Sequence, residues 1–131
     1  MKEMQPGIKG FQEMTVTDRD TAAVYGSGSL EVFGTPAMIA LMEKTALTSI
    51  EPFLEDGEGS VGTALDVKHT AATPVGMKVT CESELVEADR RRLVFRLNVR
   101  DEAGPVGEGT HERFVIDNKK FMQKAEGKRT H

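Results

Sequence analysis

The chain has no tryptophan, one tyrosine and one cysteine among its 131 residues. The lone Cys81 cannot close an internal disulfide, which suits a reducing compartment and gives the expectation of a cytoplasmic protein. One cysteine and three histidines are few ligands for a structural zinc site, so neither a metal nor a cofactor is expected. No run approaches the ~18 apolar residues of a membrane span. The opening MKEMQPGIKG lacks the apolar stretch of a signal peptide. An excess of basic residues is missing too. The formal net charge of −4 argues against nucleic acid or an anionic membrane as a partner. The apolar fraction of 38% is low for a globular chain, which points to a thin domain that completes its core by oligomerising. The length fits one domain over residues 1–131, with 118–131 as a polar, basic tail.

Regular segments are present. GFQEMTVT at 10–17 reads as a short strand with Phe11 and Val16 as its apolar members, and the glycine-containing stretch 18–34 reads as a loop or lid. Thr35-Pro36 starts a helix as hydroxyl N-cap and first-position proline; the helix runs to about Glu51, and Pro52 marks its end. Its first half is apolar nearly all round, so the helix is expected to be covered. Four strand-like segments follow. The first places Val61, Thr63, Leu65, Val67 and His69 on one face; the second sets Val79, Cys81, Ser83 and Leu85 against polar residues. The third alternates Leu93, Phe95, Leu97 and Val99, and the fourth spans about 106–116. Turn residues at 88–90 and 101–105 join the last three as antiparallel hairpins. One strand, one long helix and a meander make an α+β plan. The only large element available to bury the apolar face of the sheet is the helix, so the expected fold is the hot-dog arrangement, an antiparallel sheet wrapped around one central helix. Such sheets pair edge to edge, so a homodimer is expected.

Glu43 interrupts the apolar run 36–42 and, on a helix, shares a face with Ile39, Ala46, Leu47 and Ile50. A carboxylate there loses hydration and needs a partner or a task. His69 continues the apolar series of its strand and so points at the same layer, either as a core histidine held by a carbonyl or as an acid–base partner for Glu43. Thr35 caps the helix, and beside the free amides of the first turn it has a second reading as a group that holds a carbonyl oxygen or a water. Gly62 allows either close approach of a ligand or a bend. His111, Arg113 and Val115 share a face of the last strand; Arg113 either binds an anionic group or pairs with a glutamate. The arginine run 90–92 is most simply a solvated turn. No phosphate loop, nucleophile elbow or catalytic-cysteine signature is present.

The strings VFGTPAMIALMEKT, GEGSVGTALDVKHTAATPVG and GEGTHERFVID resemble the hot-dog thioesterases of the fluoroacetyl-CoA thioesterase family, over about 31–121 and in the same order. The resemblance implies hydrolysis of a small or medium acyl-CoA by a Thr–Glu–His set, carried here by Thr35, Glu43 and His69. It implies substrate contacts from Gly62 and Arg113. The lid differs: Gly26 and Ser29 stand where the fluoroacetyl-specific enzyme has phenylalanines, so selectivity for the fluorinated substrate is not expected. Glu43 then serves as general base or as a nucleophile forming a transient anhydride. The rivals are a hot-dog enoyl-CoA hydratase or dehydratase and a non-catalytic acyl-CoA-binding module.

Overall fold

The computed structural model describes residues 1–130, without the Thr130 side chain; His131 of the expected tail lies outside the described residues. Strand β1 (Lys9–Thr15) leads through a 3-10 turn at Asp18–Asp20 and the one-turn helix α1 (Ala22–Tyr25) to the central helix α2 (Thr35–Ile50). Strands β2 (Glu58–His69), β3 (Lys78–Asp89), β4 (Arg92–Asp101) and β5 (Pro105–Asp117) follow, then helix α3 (Asn118–Glu126) and a 3-10 turn at Gly127–Thr130. The five strands form one antiparallel sheet in the order β1-β3-β4-β5-β2. This is the expected sheet around a central helix.

The alternation in β3 and β4 holds. Val79, Cys81, Ser83 and Leu85 are buried, as are Leu93, Phe95, Leu97 and Val99. All of these but Ser83 meet Met38, Leu41, Met42, Ala46 and Ile50 of α2 in one core. Removing one large member such as Phe95 would cost about 3–5 kcal/mol, because the cavity collapses only in part. The helix lies close to the sheet: a Cβ at Gly10 would sit 2.7 Å from the Thr45 carbonyl oxygen and 2.8 Å from Ser49 Cβ.

Four features refine or correct the expectations. Phe11 points outward and is 56% exposed, because β1 turns Gly10, Gln12 and Met14 toward the helix instead. Segment 18–34 is ordered by two short helical turns and by bridges from Thr21 to Phe33 and from Val32 to Pro74. The N-cap of α2 is Gly34, with no side-chain capping bond, so Thr35 is inside the helix and its hydroxyl is free for another partner. The helix is also not covered all round. Ala40 and Lys44 are exposed, and Ile39, Glu43 and Leu47 are half-buried along an open flank.

The sheet edge beside that flank is β2, most of which is exposed between Gly62 and Asp66. Its pairing with β5 contains a bulge. Gly62 opposes Arg113, Ala64 opposes Glu112, and Thr63 is the extra residue. The bulge changes which residues share a face. Opposed residues of a ladder point the same way, so Ser60 and Gly62 join Leu65, Val67 and His69 toward the helix, while Val61 turns outward opposite Phe114. Strict alternation had placed Val61 and Thr63 inward. The Thr63 hydroxyl anchors the bulge by donating to the Glu112 carboxylate (2.6 Å), which is also held by Arg92.

Candidate active site

The bulge puts a glycine under the one acidic residue of α2. A Cβ at position 62 would lie 2.8 Å from Glu43 Oε2, 3.0 Å from His111 Cε1 and 3.6 Å from Arg113 Nη1. Only a residue without a side chain admits all three groups here. Glu43 is less enclosed than its apolar neighbours in sequence suggest, with 41% of its side chain exposed, and its partner is Arg113 at 3.9 Å. Arg113 is nearly encased, with 7% of its side chain exposed. Its Nε donates to Ser60 Oγ and its Nη2 to the Ser60 carbonyl, both at 2.8 Å. Nη1 lies 3.1 Å from His111 Nε2. Burial pulls the guanidinium pKa down, against the opposing charge of Glu43; Arg nonetheless stays a cation.

A second pair occupies the other end of β2. Thr35 Oγ1 and His69 Nδ1 are 2.8 Å apart, and the Phe33 ring stands edge-on to the imidazole with centroids 6.2 Å apart. The Thr35 hydroxyl is available because Gly34 takes the capping position. Burial lowers the His69 pKa, with only partial compensation from the Ala71 backbone, so the ring is neutral at pH 7. Its Nε2 is buried without a hydrogen-bond partner among the described residues. A buried polar atom left unpaired at a catalytic-type residue is a place for a substrate atom or a water.

The five expected site residues thus fall into two groups: Thr35 with His69, and Glu43 with Gly62 and Arg113. No hydrogen bond or ion pair joins the groups among the described residues. Ser60 and His111 belong to the second group and had no assigned role in the sequence pattern. The signal for Ser60 is register, since it reaches the face of Arg113 only through the bulge, while His111 shares that face by strand alternation alone. Cys81 is excluded as a nucleophile, as burial pushes its thiol up to about 11.

The sequence pattern of the fluoroacetyl-CoA-specific thioesterases matches residues 16–119. The chain belongs to this family. A fluoroacetyl-CoA thioesterase from Streptantibioticus cattleyicolor is 48% identical over 98 residues, which cover 75% of this chain and 70% of that protein. The crystal structure of the fluoroacetyl-CoA thioesterase FlK superposes with a TM-score of 0.91 at 39% identity, covering 97% of this chain and 98% of that one. An alanine variant of FlK in complex with fluoroacetate and CoA gives a TM-score of 0.85 at 40% identity, covering 90% and 99%. The fold is therefore hot-dog and the protein a thioester hydrolase, as the pattern of helix, meander and motif strings led us to expect. Among the described residues, no helix is long and apolar enough to cross a membrane, and no group of three or more His, Cys, Asp or Glu could hold a metal ion.

Proposed function

We propose that this thioesterase hydrolyses a short acyl-CoA to the free acid and CoA, with Glu43, His69 and Thr35 as its catalytic groups. The observation that carries the reading is the placement of the Glu43 carboxylate over Gly62, beside an encased arginine. Arg113 holds the Glu43 carboxylate in place from 3.9 Å, and a carboxylate either takes a proton from attacking water or attacks the thioester carbon itself. In the first route the carbonyl carbon gains the water oxygen and the C–S bond breaks. In the second an anhydride with Glu43 forms, the thiolate leaves, and water then opens the anhydride. His69, fixed by the Thr35 hydroxyl, presents its free Nε2 to water or to the leaving thiolate. Hydrolysis in heavy-oxygen water separates the routes, since label in Glu43 requires the anhydride.

The two groups lie too far apart to act within one chain. Gly62 and His69 are seven residues apart on β2, about 20 Å at ~3.3 Å per residue. Thr35 and Glu43 are eight residues apart on α2, about 12 Å at ~1.5 Å each. We propose that a second copy closes the gap. The exposed β2 edge is a template for antiparallel pairing, and a two-fold centred near Leu65 and Asp66 sets His69 of one copy beside Gly62 and Glu43 of the other. The homodimer, formed by the single hot-dog unit of residues 1–131, covers the open flank of α2 at the same time.

For the acyl group, the family description and the FlK relatives favour fluoroacetyl-CoA. This weighs against the reading drawn from Gly26 and Ser29. Gly26 ends α1 in the left-handed region at φ 71°, and the segment still carries apolar surface on Val24, Tyr25 and Leu30 to close over a small acyl group. The test is thiol release from fluoroacetyl-, acetyl-, crotonyl- and longer acyl-CoA. Release from the two-carbon substrates, with kcat/KM highest for fluoroacetyl-CoA, supports the proposal. Hydration of crotonyl-CoA without thiol release, or ligand binding without turnover, overturns it.

A further inference from the structure

His111 is 1% exposed, and both of its ring nitrogens are engaged. A guanidinium offers only donors, so at the 3.1 Å contact Nη1 of Arg113 donates and His111 Nε2 accepts. The ring proton is therefore on Nδ1, which donates to the Ala64 carbonyl at 3.0 Å. Phe95 packs beside the ring with centroids 6.4 Å apart. Burial first, then the Arg113 charge, keeps the imidazole neutral at pH 7, against the Ala64 carbonyl and the carboxylates of Glu43 and Glu112. His111 thus ties the guanidinium to the residue that follows the β2 bulge.

The consequence lies in how Arg113 is held. Ser60 grips one edge of the planar guanidinium, through Nε and Nη2. A plane held along one edge still tilts about that edge. The corner that would swing is Nη1, the atom that faces Glu43 at 3.9 Å. His111 pins this corner. We propose that His111 is a positioning residue for thioester hydrolysis, fixing the Arg113 plane so that Nη1 meets the Glu43 carboxylate. The proposal rests on the reading that Glu43 carries the chemistry.

Two variants separate positioning from packing. His111→Asn keeps a donor toward the Ala64 carbonyl and removes the acceptor for Arg113. His111→Gln places an amide oxygen near the former Nε2 and restores that acceptor. For acetyl-CoA hydrolysis, His111→Asn is expected to lose about tenfold or more in kcat with KM nearly unchanged, because an anchored geometry is lost. His111→Gln is expected to recover most of that loss. In an Arg113→Ala background His111→Asn should cost nothing further, since both changes remove one interaction. Nitrogen NMR of the wild-type protein supplies a readout that needs no turnover: an unprotonated His111 Nε2 and slow rotation about the Arg113 guanidinium bonds at neutral pH. Full kcat in His111→Asn, or the same loss on top of Arg113→Ala, overturns the proposal. So does a wild-type His111 protonated at Nε2, a result that stands even if His111→Asn fails to fold. A wild-type protein that releases no thiol would sink the hydrolase reading instead, and the NMR result would then decide the role of His111.

Discussion

Mixing two inactive proteins should restore activity if the catalytic groups meet across two copies. Glu43→Gln removes the carboxylate but leaves Thr35 and His69 intact. His69→Ala removes the imidazole but leaves the Glu43, Gly62 and Arg113 group intact. Each homodimer has two broken sites and should fall at least ~10²-fold in kcat, the usual scale for losing a general base or acid. In a mixed dimer, one site receives both substitutions and is dead, while the other combines an intact glutamate with an intact histidine. Random exchange makes about half of the dimers mixed, so about a quarter of all sites work. The expectation follows from the separation of the two groups, about 20 Å along β2 and about 12 Å along α2. Equal amounts of the variants would be unfolded and refolded together, then assayed for thiol release from acetyl-CoA, with each variant refolded alone as control. Recovery near a quarter of wild-type activity supports the shared site. No recovery, with native mass spectrometry showing mixed dimers present, would refute it and return all three groups to one chain.

Three further outcomes follow from the geometry. Gly62→Ala pushes a methyl to within 2.8 Å of Glu43 Oε2 and 3.0 Å of the His111 ring; the carboxylate must retreat, so kcat should fall about 10–100-fold. Crowding costs about 1–3 kcal/mol, visible as a lower melting temperature in circular dichroism, and unchanged kcat would contradict the placement of Glu43. Thr35→Ala should reduce kcat while thermal stability stays within about 0.5 kcal/mol, because Gly34 is the N-cap, and Thr35→Ser should recover the rate; a stability loss typical of a removed cap would restore the capping role to Thr35. The folded-state pKa values of His69 and His111 are both below the unfolded value of 6.5, so the unfolded chain binds the extra protons and stability rises with pH in that range. Their contribution is complete above pH 6.5 and is lost as pH falls through the lowered values. Melting temperature should therefore drop from about pH 7 to about pH 5, before Glu58 and Glu112 titrate, and substituting either histidine by Asn should flatten the drop.

The parts of the fold with a strong period were readable from the residues. Leu93, Phe95, Leu97 and Val99 alternate without interruption and all reach the core. The long helix was bounded correctly by Pro36 and Pro52, since proline acts locally. The cap was assigned one residue late, because a hydroxyl before a proline suggests an N-cap, and only the position of His69 shows that the hydroxyl is used elsewhere. Ser60 stayed hidden for a different reason. Its role depends on a bulge, and a bulge leaves no trace in composition or period, whereas alternation alone put His111 on the face of Arg113. Patterning made Thr35, Glu43, His69, Gly62 and Arg113 candidates one by one, and family likeness gave them their joint roles.

The bulge at Thr63 acts as a frameshift within β2. Gly62 and His69 are an odd number of residues apart, which in a regular strand places them on opposite faces. The extra residue makes that count even in effect, and both then face the helix. The strand therefore tolerates length changes unequally. Deleting Thr63 joins Gly62 to Ala64 opposite Arg113 and Glu112, leaving a regular ladder with both ends still facing inward. Deleting one residue between Leu65 and Lys68 turns either His69 or Gly62 outward. One position of β2 is thus open to loss, and the four from Leu65 to Lys68 are closed to it.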